Sequence, residues 1–177
     1  MRIYFKAMLR VHLRALAAGA VETRRDIAPT DPELADLEFH LSDRVRVSGR
    51  LMESGPGSYY WDARLQTTVT VPCRRCLEPV EVTIDEKVRV LFAEEEAADP
   101  STYVIPAYAG ELELGEAIRE ELILAAPEFV LCREDCRGLC ARCGKNLNTG
   151  PCDCRPEPDP RWLALEVLKA RPDTDTE

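Results

Sequence analysis

The stretch WDARLQTTVTVPCRRCLEPVEVTIDEKVRVLF, residues 61–92, decides the fold of this 177-residue chain. Mostly apolar side chains occupy every second position before Pro72, and the alternation resumes after Pro79. The alternating positions are Trp61, Ala63, Leu65, Thr67, Val69 and Val71, and then Val80, Val82, Ile84, Val88, Val90 and Phe92. A period of two is typical of a strand with one buried face. The sequence therefore predicts a long antiparallel hairpin whose tip carries Cys73 and Cys76.

Further strands and one helix are predicted around this hairpin. The alternating run at 45–51 precedes a glycine-rich turn, and shorter runs at 9–13 and 37–41 are candidates to extend the same sheet. A helical stripe of Leu114, Ile118, Leu122 and Ala125 ends before Pro127. The expected fold class is α+β: an antiparallel β-sheet or partial barrel with a packed helix and a cysteine-rich C-terminal region.

The order of these patterns suggests three regions. Residues 1–127 should form the β-rich core with its following helix, and 93–110 should be a loop within it. Residues 128–172 should form a cysteine-rich module with a C-terminal helix that begins at Asp159. Residues 173–177 read as a disordered tail.

Charge is distributed unevenly along an acidic chain. The net charge of −9 is unfavourable for a protein that only holds nucleic acid by its phosphates. Residues 1–25 nevertheless carry +5, whereas 93–121 carry −8. This polarity permits a basic face, although ordinary solvated charge explains it equally well. Arg10, His12 and Arg14 interrupt the apolar start, so we expect a cytoplasmic protein with neither a secretory signal nor a membrane span.

The spacing of the eight cysteines indicates their chemical role. Cys73-x2-Cys76 is followed by Cys132-x3-Cys136-x3-Cys140-x2-Cys143-x8-Cys152-x-Cys154. A disulfide scaffold would spread its cysteines through a small domain without a core, and a redox pair would need a strand-to-helix setting. Zinc takes four thiolates tetrahedrally, so eight cysteines make two sites. We predict two Zn²⁺ ions, each with four cysteine ligands; an iron–sulfur cluster or merely buried thiols are the alternatives.

The pairing of the cysteines follows from loop closure. Cys140, Cys143, Cys152 and Cys154 lie within fifteen residues and can meet at small entropic cost. That leaves Cys73 and Cys76 to join Cys132 and Cys136. An interleaved zinc ribbon, with Cys73 and Cys76 facing Cys140 and Cys143, is the alternative.

Neither predicted site has the features of a catalytic centre. A catalytic zinc keeps one position for water and has a base nearby, but His12 and His40 are both distant in sequence from the cysteines. Phosphate-binding glycine loops and nucleophile elbows are also missing from the sequence. We therefore expect no catalytic residues and no small-molecule substrate.

Several stretches occur in an order that resembles a known family. They are VPCRRCLEP at 71–79, IREELILAAP at 118–127, LCREDCRGLCARCGKNLN at 131–148, CDC at 152–154 and DPRW at 159–162. Together they resemble the bacterial YceD family, the large ribosomal RNA subunit accumulation proteins, in its cysteine-rich C-terminal form. Some members look shortened after the position of Cys136, which suits an independent 140–154 module.

The resemblance implies a non-enzymatic role in the synthesis, processing or stability of large-subunit ribosomal RNA. Basic side chains around the cysteines are candidates to contact that RNA or its precursor particle: Arg74, Arg75, Arg137, Arg142 and Lys145. These side chains could instead neutralise the thiolate-rich sites, since a four-thiolate zinc centre carries about −2. The alternative role is an adaptor that binds a ribosomal protein or maturation factor, for which the acidic segment 93–121 is suited.

Overall fold

The chain is described by a computed structural model that covers residues 9–94, 102–107 and 109–154. Its strands are β1 (Arg10–His12), β2 (Val21–Ile27), β3 (His40–Leu41), β4 (Val45–Gly55), β5 (Ser58–Pro72), β6 (Pro79–Ala93), β7 (Tyr103–Val104) and β8 (Glu111–Glu113). Helix α1 (Gly115–Ala125) follows, and short 3-10 turns cover Leu13–Ala18 and Pro32–Leu34. The predicted helix from Asp159 and the tail over 173–177 lie outside the described residues.

An open six-stranded sheet forms the body of the fold. Its order is β2-β4-β5-β6-β7, and β3 also pairs with β5. The neighbours are antiparallel except for β6 and β7, which run parallel. The predicted α+β class with a mainly antiparallel sheet is therefore confirmed. Over the described residues the sheet ends at β2 and β7 without closing into a barrel.

The predicted hairpin is present as β5 and β6, each fifteen residues long. Trp61 pairs with Val90 near one end, and Val71 pairs with Val80 near the tip. Alternation turns Trp61, Leu65 and Val69 into the core, where each is fully buried. The hairpin tip carries residues 73–78, so the first two cysteines lie beyond the end of the paired strands.

Helix α1 lies against the hairpin and directs the chain back towards its tip. Ile118 and Leu122 are completely buried, as the helical stripe predicted. Arg119 holds the helix to the distant segment 33–36, because its guanidinium donates to the carbonyl oxygens of Glu33 and Asp36, each at 3.3 Å. After the helix the chain reaches the hairpin tip, where the Arg74 amide donates to the Val130 oxygen at 2.8 Å.

The shorter alternating runs at 9–13 and 37–41 only partly extend the main sheet as predicted. Val11 lies in β1, which pairs with β8 in a separate two-stranded sheet and does not extend the main one. The cause is Leu112, which pairs with Val11 and is buried with it. Of the run at 37–41, only His40–Leu41 is strand, and it does extend the main sheet. The predicted loop at 93–110 contains β7, which pairs with β6.

Strand β2 was not among the predicted elements. Only Thr23 and Ile27 are fully buried in its sequence VETRRDI, because β2 is the sheet edge and its charged side chains face solvent. A buried hydrogen bond nonetheless fixes it: the Trp61 indole N–H donates to Thr23 Oγ1 at 2.9 Å. None of the helices in the described part of the chain has the length and apolarity that a bilayer crossing requires.

Candidate metal centres

The tip of the β5–β6 hairpin is a tight turn that aims two thiols in one direction. The Cys73 amide donates to the Glu78 oxygen at 2.8 Å, and the Leu77 amide donates to the Cys73 oxygen at 2.9 Å. This closure forces Leu77 into the left-handed region, with φ of 61°. A non-glycine residue there is uncommon and stores backbone strain, so the turn is held by its surroundings.

The same turn recurs at Cys140 and Cys143. The Cys140 amide donates to the Lys145 oxygen and the Gly144 amide donates to the Cys140 oxygen, both at 2.9 Å. Gly144 occupies the position equivalent to Leu77, with φ of 70°. Each Cys-x2-Cys segment is therefore a preformed two-thiol turn.

The structure brings the eight thiols into the two groups predicted from loop closure. Cys73, Cys76, Cys132 and Cys136 form the first cluster, and Cys140, Cys143, Cys152 and Cys154 form the second. Within each cluster the four sulfur atoms lie within 4.8 Å of one another. The interleaved ribbon pairing is not the one that forms.

Sulfur separations in the first cluster fit a single tetrahedral ion. Cys73 Sγ lies 3.8 Å from Cys136 Sγ, and Cys76 Sγ lies 3.6 Å from Cys132 Sγ. Four thiolates about 2.3 Å from one zinc ion are about 3.8 Å apart. All eight cysteines are free thiols, and disulfide sulfurs would be only about 2.05 Å apart. Both clusters could hold metal ions.

Backbone amides stabilise the thiolate form of one cysteine in each two-thiol turn. The amide of Cys76 is the largest influence that lowers the pKa of Cys73 to about 6, and the amide of Cys143 does the same for Cys140, also to about 6. Desolvation of the thiol within the cluster, followed by its hydrogen bonds with the neighbouring cysteines, raises the pKa of Cys132 to about 12. A bound cation would favour the thiolate form of its cysteine ligands and release their protons.

Arg75 holds the first cluster together through backbone contacts. Its guanidinium donates to the carbonyl oxygens of Cys136 at 2.9 Å and Glu134 at 3.4 Å. Its own carbonyl oxygen accepts from the Leu139 amide at 3.0 Å. Arg75, a predicted RNA contact, thus supports the fold of the 132–136 loop.

A family comparison supports the sequence resemblance. The family model described as "Large ribosomal RNA subunit accumulation protein YceD" matches residues 61–169. The chain belongs to the YceD family. The match begins at Trp61 in β5, so the part shared with the YceD family includes both cysteine clusters.

Relatives of this YceD protein occur in bacteria and plants. An uncharacterized protein of Mycobacterium tuberculosis (strain H37Rv) is 33% identical over 195 residues, covering 94% of each chain. A protein of Arabidopsis thaliana named "Large ribosomal RNA subunit accumulation protein YCED homolog 1, chloroplastic" is 25% identical, covering 61% of this chain and 43% of its own. A maize protein of the same name is 28% identical, covering 80% of this chain and 54% of its own. No solved structure gives a significant match.

The other predicted RNA contacts of this YceD chain surround the two clusters. The Arg74 guanidinium lies 3.8 Å from the centre of the Phe129 ring, which is 66% exposed. Lys145 Nζ donates to the Pro151 oxygen at 2.7 Å, so it closes the second loop. Arg137 is exposed, and its backbone amide donates to Asn148 Oδ1 at 2.8 Å. Arg142, also exposed, lies inside the second two-thiol turn.

Asn148 is the residue that sequence reasoning missed. Its Nδ2 donates to Cys136 Sγ at 3.3 Å, and this bond is the first cause of the lowered pKa of Cys136. An asparagine in a glycine-rich loop reads as a turn former, and nothing in its spacing shows that its amide reaches another cluster. The two histidines lie elsewhere, since His12 is on β1 beside Glu111 and His40 is on β3.

Proposed function

We propose that this YceD protein is a non-enzymatic ribosome biogenesis factor that supports the synthesis, processing or stability of large-subunit ribosomal RNA in the bacterial cytoplasm. The observation that carries the proposal is the family match, whose description names large ribosomal RNA subunit accumulation. Two plant relatives carry the same description in their names. The proposed partner is this RNA or its precursor particle.

We further propose that each cluster holds a structural Zn²⁺ ion. Four sulfurs within 4.8 Å suit one ion, whereas a cluster of several iron atoms holds its thiolates on different metals and therefore further apart. Four thiolates also fill a tetrahedral site, so no position is left for a reacting water. The ions would fix the loops at 132–154 against the hairpin tip. Native mass spectrometry should find two zinc ions per chain; a metal-free chain with eight thiols would refute this part.

The proposed RNA contacts are basic side chains beside the clusters, and their other contacts indicate which of them are available to bind RNA. Arg74 is exposed and stacked on an exposed phenyl ring, a platform on which a base or phosphate could bind. Arg137 projects from the loop between the clusters. Arg75 and Lys145 already bind backbone oxygens, so their substitution would disturb the loops as well as any RNA contact.

The test is RNA binding by Arg74→Glu and Arg137→Glu, measured by fluorescence anisotropy with large-subunit RNA at several salt concentrations. Each lost phosphate contact should weaken binding and reduce the slope of log K against log salt by about 0.7 to 0.9. Arg24→Glu on the edge strand β2 is the control, because it makes the same change in net charge on a side chain outside both clusters. Equal affinity and slope in all three variants would rule out this interface.

An acidic groove favours the second candidate function, a zinc-stabilised adaptor without direct RNA contact. The groove measures about 730 Å³ between α1 and the β6–β7 edge, and Glu116, Glu120 and Glu121 line its helix side. Carboxylates in such a groove suit a basic segment of a ribosomal protein or maturation factor. Co-sedimentation with large-subunit precursors that survives Arg74→Glu and Arg137→Glu, but not Glu116→Lys with Glu120→Lys, would favour the adaptor.

A further inference from the structure

The loop of the second cluster reaches across to the first cluster through one side chain. Asn148 lies between Cys143 and Cys152, yet its Nδ2 donates to Cys136 Sγ at 3.3 Å. Its Oδ1 accepts from the Arg137 amide at 2.8 Å and from Arg133 Nη2 at 2.9 Å. Both ends of the amide are engaged, so its orientation towards the sulfur is fixed.

Backbone contacts hold this loop beside the hairpin tip. The Leu147 amide donates to the Gly138 oxygen at 2.8 Å, and Leu139 forms a β-bridge with Asn146. Asn146 Nδ2 then donates to Glu78 Oε1 at 2.8 Å, which joins the loop to the segment after Cys76. The 140–154 segment therefore contacts both the first cluster and the hairpin tip.

The chemistry of the contact favours a metal-bound thiolate. A four-thiolate centre concentrates negative charge on its sulfurs, and an N–H donor to one sulfur stabilises that charge. The loop that presents the donor, residues 144–151, is closed at its ends by Cys143 and Cys152, two ligands of the second cluster. An ion bound there would order the loop and hold Asn148 in place.

We propose that the two clusters bind metal as a coupled pair, in which an ion at the second cluster raises the affinity of the first through Asn148. The inference rests on the proposed metal binding. Coupling between two sites is reciprocal, so an ion at the first cluster raises the affinity of the second by the same factor. Loss of a group that supports metal ligands typically costs 10- to 100-fold in affinity, and we expect about tenfold for Asn148.

The test is a Zn²⁺ titration of the full chain with a competing chelator, in which native mass spectrometry counts the forms with zero, one and two ions. Asn148→Ala should still bind two ions, but the weaker stepwise constant should fall about tenfold and the singly loaded form should accumulate. Asn148→Asp should lose at least as much, because it keeps the acceptor for Arg137 but turns a carboxylate oxygen towards the sulfur.

A double-mutant cycle separates coupling from a local bond. With Cys152→Ser and Cys154→Ser only the first cluster binds, and its affinity should already be about tenfold weaker than in the full chain. Adding Asn148→Ala should then change little, because the loop that presents the donor is no longer fixed. Thr149→Val is the control, since its hydroxyl donates to the Asn146 oxygen of the same loop.

The outcomes distinguish the two proposals. A wild-type chain that binds no Zn²⁺ refutes the metal centres and the coupling together. If the chain binds two ions, but Asn148→Ala has the same effect whether or not the second cluster is intact, the metal centres stand and the coupling is refuted. Circular dichroism of each variant checks that the sheet is folded, and Cys154→Ser alone replaces the double cysteine variant in the cycle if that variant unfolds.

Discussion

Replacing Thr23 with valine tests how the edge strand β2 is held to the sheet. The Trp61 side chain is completely buried, Thr23 is 3% exposed, and the indole N–H donates to Thr23 Oγ1 at 2.9 Å. Valine has nearly the shape of threonine, so packing is preserved while the acceptor disappears. The indole N–H would be left without its bonding partner, which should lower the free energy of unfolding by about 1–3 kcal/mol.

The assay is urea unfolding followed by far-UV circular dichroism at a fixed free Zn²⁺ concentration. Trp61→Phe removes the donor, so Thr23→Val in that background should be nearly neutral or slightly stabilising. The double-mutant cycle should therefore give a coupling energy of about 1–3 kcal/mol. Thr23→Ser, which keeps the hydroxyl, should preserve the coupling to Trp61. Additive effects of Thr23→Val and Trp61→Phe, within about 0.5 kcal/mol, would refute the reasoning.

Three further predictions concern Gly49, Gly138 and Glu121. Gly49→Ala should cost about 1–3 kcal/mol in urea unfolding, because the new Cβ would lie 2.4 Å from a side chain on β5, whereas Gly55→Ala meets nothing within 4 Å and should be nearly neutral. Gly138→Ala should cost about 1–2 kcal/mol and loosen the first cluster, because φ is 73° and the Cβ would lie 2.9 Å from the Arg75 oxygen; unchanged stability would contradict this. Burial, and then a neighbouring carboxylate, raise the pKa of Glu121, so the folded state loses stability as pH rises through its titration range. Glu121→Gln should therefore be more stable than wild type at pH 7, with the difference vanishing below about pH 4 in urea melts.

The parts of the fold that alternation predicted are those with one fully buried face. The β5–β6 hairpin and the helical stripe of α1 appear where the sequence places them, because each buries a regular set of apolar side chains. Strand β2 escaped prediction because an edge strand needs few buried residues, and a hydrogen bond from Trp61 replaces the missing apolar contact. The pairing of β1 with β8 depends on segments about a hundred residues apart, which local periodicity does not report.

The cysteine pairing was predictable, but the contacts that support it were not. Loop closure depends only on sequence separation, so it gave the two groups directly. Arg75 and Asn148 act through single hydrogen bonds to a carbonyl oxygen and a sulfur of the 132–136 loop. Such bonds depend on where the loops meet in space, and the same residue types occur on any polar surface.

The structure also changes what the basic residues of an acidic chain imply. Counting arginines and lysines near the cysteines gives a basic surface, but Arg75 and Lys145 donate to carbonyl oxygens inside the loops. Arg133 is likewise engaged, because it binds Asn148 Oδ1 at 2.9 Å and Asp135 at 3.3 Å. Much of the positive charge near the clusters is thus engaged in contacts that hold the loops. The proposed RNA contact would therefore depend on a few side chains such as Arg74 and Arg137, so single charge reversals should decide between RNA binding and the adaptor role.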